Sequence, residues 1–248
     1  MVVKNDEFYT PLSTIQEELS LYPVELFKDK IVYCNCDNPY KSQFISYFKD
    51  NFKRLELKRL RATCYNKDWS LFTGESKALH YEYDGENETV THLEGNGSFE
   101  SEECLEILND SDIVVTNPPF SLARRFMSVI VKSKKDFIIL GHTTWISKRQ
   151  IFIDFLNGDI KLGYGNNKAI QFVTPNEPKS VNCTWYTSFS LSKDIPFLKL
   201  TESYSPERYK RFKKYPEVIN VDRVKKIPYD WDGIMGVPVT FLKYWNPE

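Results

Sequence analysis

At 248 residues, 41% hydrophobic and 15% aromatic, the chain has enough apolar material for one substantial core and an appended module. No apolar run reaches the roughly 18–20 residues of a membrane span, and the opening MVVKNDEFYT lacks a signal peptide's apolar stretch, so a soluble cytoplasmic protein is expected. A net charge of −1 excludes a uniformly basic nucleic-acid binder, and five cysteines without a CxxC pair, with three scattered histidines, argue against a disulfide framework or a structural metal.

Strand-length apolar runs alternate with helix-like stretches, the pattern of an α/β domain. Residues 12–21 predict a short helix with Ser13 as its N-cap. Residues 30–34 predict a buried first strand, stopped by Asn35, Asp37, Asn38 and Pro39. Ser42 caps a predicted helix through Phe52, with Phe44, Ile45, Phe48 and Phe52 at helical spacing. A second strand is predicted over 57–63. In 78–93, aromatic and β-branched alternation around Asp84 and Gly85 predicts a hairpin inserted between sheet strands. Residues 94–99 form a Gly-rich turn, and Ser101 caps a helix over 102–108. The continuously apolar strand 112–116 runs into Asn117, Pro118, Pro119 and Phe120. A helix over 122–131, a strand over 137–140 and two more over 169–173 and 183–191 complete the sheet. Beyond Pro196 the chain becomes Tyr-, Pro- and Lys-rich, which predicts a core domain over 1–195 and a loop-heavy C-terminal segment over 196–248.

Charge is segregated along the chain. Residues 74–112 carry twelve acids against Lys77 alone, residues 121–150 carry seven bases against Asp136, and 199–226 carry nine bases against four acids. Such a chain can present a basic surface to a polyanion at near-zero net charge; the other reading is ordinary solvated helix faces.

The sharpest chemical signal is the Asn117–Phe120 loop. An exocyclic amine on a heteroaromatic ring is a poor nucleophile, because its lone pair is delocalised. Two acceptors on its N–H groups draw the nitrogen toward tetrahedral geometry and free the lone pair. The Asn117 side-chain oxygen and the Pro118 carbonyl are such a pair, the two prolines fix the backbone that aims them, and Phe120 offers a face for a base taken out of a duplex. A proline-stiffened turn with a buried Phe is the plainer alternative.

This loop resembles motif IV of the amino-methyltransferases. Phe8, Tyr9, Thr10 and Pro11 ahead of a helix are similar to the N-terminal cofactor motif of adenine methyltransferases. With Val32 to Pro39, Ser42, Phe44, the turn Gly95 to Phe99, Trp185 to Thr187 and Gly233 to Phe241, the whole chain resembles the EcoRI-type family of adenine-specific DNA methyltransferases. That resemblance implies a Rossmann-like class I methyltransferase sheet flanked by helices and S-adenosylmethionine as cofactor. It further implies duplex DNA as partner, a cognate restriction endonuclease in a restriction-modification pair, and DNA recognition by the C-terminal segment. It places Asn117, Pro118, Pro119 and Phe120 in catalysis, and Phe8, Tyr9, Thr10, Asp37, Asn38, Pro39, Ser42, Asn96, Ser98 and Phe99 at the cofactor. Relatives continue beyond Glu248, so a shortened recognition region is expected.

Several positions read two ways. Phe8 and Tyr9 could staple the first helix, Asp37 could cap the second, and Gly95 and Gly97 could form an ordinary turn. The loop after the first strand lacks the usual glycines, Ser98 replaces an expected aspartate, and no acid ends the second strand to bind ribose. Methylation of RNA or of a protein glutamine, or a silent DNA-binding role, are the competing functions.

Overall fold

In the computed structural model the chain forms two compact units, Met1–Leu191 and Ser192–Glu248; residues 9–66, 77–174, 177–191 and 197–245 are described. The strands of the first unit are β1 (Ile31–Cys34), β2 (Arg59–Thr63), β3 (Leu79–Tyr83), β4 (Glu88–His92), β5 (Ile113–Thr116), β6 (Asp136–His142), β7 (Lys161–Leu162), β8 (Lys168–Phe172) and β9 (Lys179–Thr187). They make one sheet in the order β4-β3-β2-β1-β5-β6-β9-β7, with β8 also paired to β9. The central β2, β1, β5 and β6 are parallel, while β9 runs antiparallel between β6 and β7. This is a Rossmann-like methyltransferase sheet with helices α1 (Leu12–Leu19), α2 (Gln43–Asp50), α3 (Glu102–Asn109), α4 (Ala123–Ser133) and α5 (Arg149–Leu156).

β1 and β5 are buried at every position, as central parallel strands covered on both faces must be. The helices on that sheet start where their caps dictate. Ser42 Oγ accepts the Phe44 N–H, and Ser101 Oγ accepts the Cys104 N–H. α2 then buries Phe44, Ile45, Tyr47 and Phe48, and α4 buries Phe126, Met127 and Ile130.

Several expectations are corrected. Ser13 does not cap α1: Pro11 holds the N-cap position without a side-chain bond and Ser13 lies exposed in the first turn. Proline supplies the required extended entry, so the cap falls ahead of the serine. β9 begins at Lys179 and ends at Thr187, because its polar first half is fixed by pairing with β8 rather than by burial. α5 and β7 have no counterpart among the predicted elements; the mostly apolar stretch of α5 offers no clean helical period. The hairpin itself forms as expected, with β3 joining the sheet antiparallel to β2. Arg61 of β2 holds it there, reaching Glu82 at 2.7 Å and Asp110 at 2.7 Å.

The second unit has a small core of Tyr209, Ile219, Val221 and Ile227, beside a short parallel pair, β10 (Ile219–Asn220) and β11 (Met235–Gly236). Tyr204 lies 4.3 Å from Trp231 between ring centroids, and the Arg211 guanidinium stands 5.5 Å over the same indole. Among the described residues no helix is long and apolar enough to cross a membrane.

Candidate active site

The loop after β1 is organised around Asp37. Its buried carboxylate accepts the Ser42 hydroxyl at 2.5 Å and the Thr116 hydroxyl at 2.5 Å, and its N–H donates to the Thr63 carbonyl at 3.0 Å. Three strand ends, β1, β2 and β5, are thereby tied to the start of α2. Burial pushes the Asp37 carboxyl up to about 6, against the two hydroxyls that lower it. Asn38 closes the turn: its side-chain oxygen accepts the Tyr40 N–H at 2.9 Å, and its carbonyl accepts the N–H groups of Lys41 and Ser42 at 3.1 and 2.9 Å. No residue from 35 to 42 has a positive φ. Asparagine and aspartate hydrogen bonds do here what glycines do in other loops of this kind.

Cys64 and Tyr65 follow β2. Asn66 donates its N–H to the Asn96 carbonyl at 2.8 Å, and the Gly-rich turn packs against this strand end. Gly97 has φ +69°, and a Cβ there would overlap the Cys64 carbonyl oxygen. Glycine is required by both angle and space. The Asn96 side chain accepts the Ser98 N–H at 3.0 Å, and Phe99 is buried edge-on against Phe126 at 5.2 Å.

β5 delivers the third loop. Pro118 is buried, while Asn117, Pro119 and Phe120 are half-buried. The Pro119 carbonyl accepts the Leu122 N–H at 3.0 Å, closing a short 3₁₀ turn. Phe120 meets His142, Trp145 and Phe172 nearly at right angles, with centroids 6.2, 5.9 and 5.8 Å away.

These loops enclose a cavity of about 630 Å³ at the carboxyl edge of the sheet, where open α/β folds bind ligands. Among the expected cofactor residues it is lined by Tyr9, Thr10, Asp37, Asn38, Ser42, Asn96, Ser98 and Phe99, and it meets the catalytic loop at Asn117 and Pro119. Pro39, Pro118 and Phe120 do not line it, and Phe8 lies outside the described residues. Sequence reasoning missed Asn35, Cys36, Cys64 and Tyr65, which all line the cavity; their position just past β1 and β2 was the available signal. Arg125, one of the seven bases of residues 121–150, is exposed, in keeping with a solvated position, and also reaches Glu100 through its Nε at 3.1 Å at the cavity wall. Thr10 Oγ1 and Asn35 Oδ1 are buried in that wall with no hydrogen-bond partner among the described residues. Burying polar atoms unpaired is costly, so the wall is built for a polar ligand.

The family model described as adenine-specific methyltransferase EcoRI matches residues 2–248. The chain belongs to that family. It is a DNA adenine methyltransferase. The chain is 37% identical over 284 residues to the type II methyltransferase M.EcoRI of Escherichia coli, covering 99% of this chain and 84% of that protein. Two mycoplasma relatives are similarly close. M.MgeORF184P of Mycoplasma genitalium is 35% identical, and M.MpnI of Mycoplasma pneumoniae 37%, each over 99% of this chain and 81% of theirs. The family implies a methyl donor, and the cavity's size suits a small-molecule ligand. No group of three His, Cys, Asp or Glu among the described residues is placed to hold a metal ion.

Proposed function

We propose that this adenine methyltransferase uses S-adenosylmethionine, held in the carboxyl-edge cavity, to methylate N6 of an adenine turned out of duplex DNA. The observation that carries the reading is the shared wall: the polar loops after β1 and β2 and the Asn117 loop line one cavity. When bound, the donor supplies an electrophilic methyl group on a sulfonium.

Thr10 Oγ1 and Asn35 Oδ1 offer hydrogen bonds to the polar parts of that ligand, and the ionised Asp37 favours its positive charge. Tyr9, Asn38, Ser42, Asn96, Ser98 and Phe99 complete the wall, with Phe8 and Pro39 assigned to the same end by the family motifs. Cys64 and Tyr65, at the end of β2, stand where an acid for ribose is lacking. On the acceptor side, Asn117 Oδ1 and the Pro118 carbonyl take the two N–H groups of the amine, Pro119 stiffens the loop, and the exposed part of Phe120 holds the base. No general base is required before attack, because the lone pair is freed by hydrogen bonding; once the methyl–nitrogen bond has formed, the excess proton on the nitrogen passes to water.

Residues 1–195 are assigned to methyl transfer and 196–248 to DNA recognition. A cognate restriction endonuclease and a cytoplasmic location accompany this assignment. The test is incubation with labelled S-adenosylmethionine and unmethylated genomic DNA, followed by methylation sequencing. Label at N6 of adenine in a fixed sequence is expected; absence of label, or label in RNA or on protein glutamine, overturns it.

A further inference from the structure

Thr116 is the last residue of β5 and precedes Asn117. Its side chain is fully buried and donates its hydroxyl to Asp37 at 2.5 Å. Asp37 in turn holds Ser42 at the start of α2 and the Thr63 carbonyl at the end of β2. A valine in place of Thr116 would fill the same volume, so packing alone does not require a hydroxyl at this point. The bond joins two loops that line the same cavity from different strands. Asp37 and Thr116 stand 79 residues apart in the chain.

We propose that Thr116 is a positioning residue that couples the donor side of the cavity to the catalytic loop, fixing Asn117 relative to Asp37 through one hydrogen bond. This rests on the proposed function, in which the Asp37 loop holds the methyl donor and Asn117 accepts from the amine. A displacement of the two loops by a fraction of an ångström separates donor and acceptor, and such errors cost far more in rate than in binding. The bond also keeps a donor on the buried carboxylate, so its loss favours the protonated, uncharged form of Asp37 and weakens its hold on a cation.

The experiment compares the native chain with Thr116→Val and Thr116→Ser. Single-turnover methyl transfer to unmethylated genomic DNA is followed with labelled S-adenosylmethionine at saturation, and S-adenosylhomocysteine binding by calorimetry. Thr116→Val should lose about ten- to a hundredfold in single-turnover rate, a greater factor than it loses in S-adenosylhomocysteine affinity. Thr116→Ser, which restores the hydroxyl, should recover most of the rate. A folded Thr116→Val with native rate overturns the coupling, and so does a Thr116→Ser as slow as Thr116→Val. If melting shows that Thr116→Val does not fold, Thr116→Cys, with a thiol that donates weakly, takes its place under the same two criteria. Asn117→Ala in the same assay separates the levels. If it is inert while Thr116→Val is native, only the coupling falls; if it is fully active, the proposed function falls and the coupling with it.

Discussion

The loop after β1 and the loop after β5 solve the same problem with opposite chemistry. The first is held by polar bonds: Asp37 to Ser42 and Thr116, Asn38 to Tyr40, Lys41 and Ser42. The second is held by two prolines and by the edge-to-face packing of Phe120 against His142, Trp145 and Phe172. In the proposed function each suits its partner. A cationic donor would be matched by a carboxylate and by unpaired oxygen atoms, which require a polar frame. An aromatic base and its amine call for fixed backbone carbonyls and a flat face, and proline and phenylalanine provide these without competing hydrogen-bond donors.

The largest effect should come from breaking the apolar-framed loop at its one polar side chain. Asn117→Ala removes one of two acceptors, so turnover should fall roughly a hundredfold or more while S-adenosylhomocysteine affinity changes little. Steady-state kinetics with calorimetry checks this, and a native turnover would remove Asn117 from the chemistry.

The polar loop should respond to pH. Burial holds the Asp37 carboxyl at about 6, above the ordinary 3.8, so the folded chain binds this proton more tightly than the unfolded one. For this group, stability is greatest below about pH 4 and is lost as pH rises to about 6, a change on the order of 3 kcal/mol. Asp37→Asn should flatten that fall and melt no lower than the native chain at pH 8, yet bind S-adenosylmethionine about tenfold more weakly there. Native donor affinity should itself rise with pH through about 6. Unchanged affinity in Asp37→Asn at pH 8 would leave the carboxylate a purely structural tie.

Phe120→Ala should cost about 1–3 kcal/mol in holding the extruded base, with a further loss of stability from the aromatic packing. Phe120→Leu sharpens the comparison, since it retains bulk but loses the flat face. A 2-aminopurine reporter at the target adenine measures extrusion; an equal signal in all three proteins would confine Phe120 to packing.

The smallest effect lies in the second unit. Lys210, Arg211, Lys213 and Lys214 are all exposed there; Lys214 stands over Tyr215, and Arg211 is engaged with both Trp231 and the Pro216 carbonyl. Changing the three lysines to Ala should weaken DNA binding uniformly and reduce the slope of log affinity against log salt by about 0.9 for each phosphate no longer neutralised. Arg211→Ala should instead lower the melting temperature. An unchanged slope would return the lysines to the solvated surface.

Much of this molecule was legible in order. The buried strands at 31–34 and 113–116 announced themselves as unbroken apolar runs, Ser42 and Ser101 as caps, and the Asp84–Gly85 turn as a hairpin, because each of these rests on neighbours in the chain. The Asn117–Phe120 loop stood out for the same reason: the chemistry proposed for it rests on four consecutive residues. α5 and the true extent of β9 were not, since a mostly apolar stretch has no period to read and a polar half-strand is fixed only by its partner β8. Most of the expected cofactor residues do line the cavity, but how its interior is tied together was decided by tertiary structure. Nothing local distinguishes Thr116 from any strand-ending threonine, or Gly97 from any turn glycine. The Asp37 bond and the Cys64 carbonyl that give them their roles come from strands distant in sequence, which the parallel sheet lays side by side. Local chemistry fixes what each loop can do, and strand order fixes which loops meet.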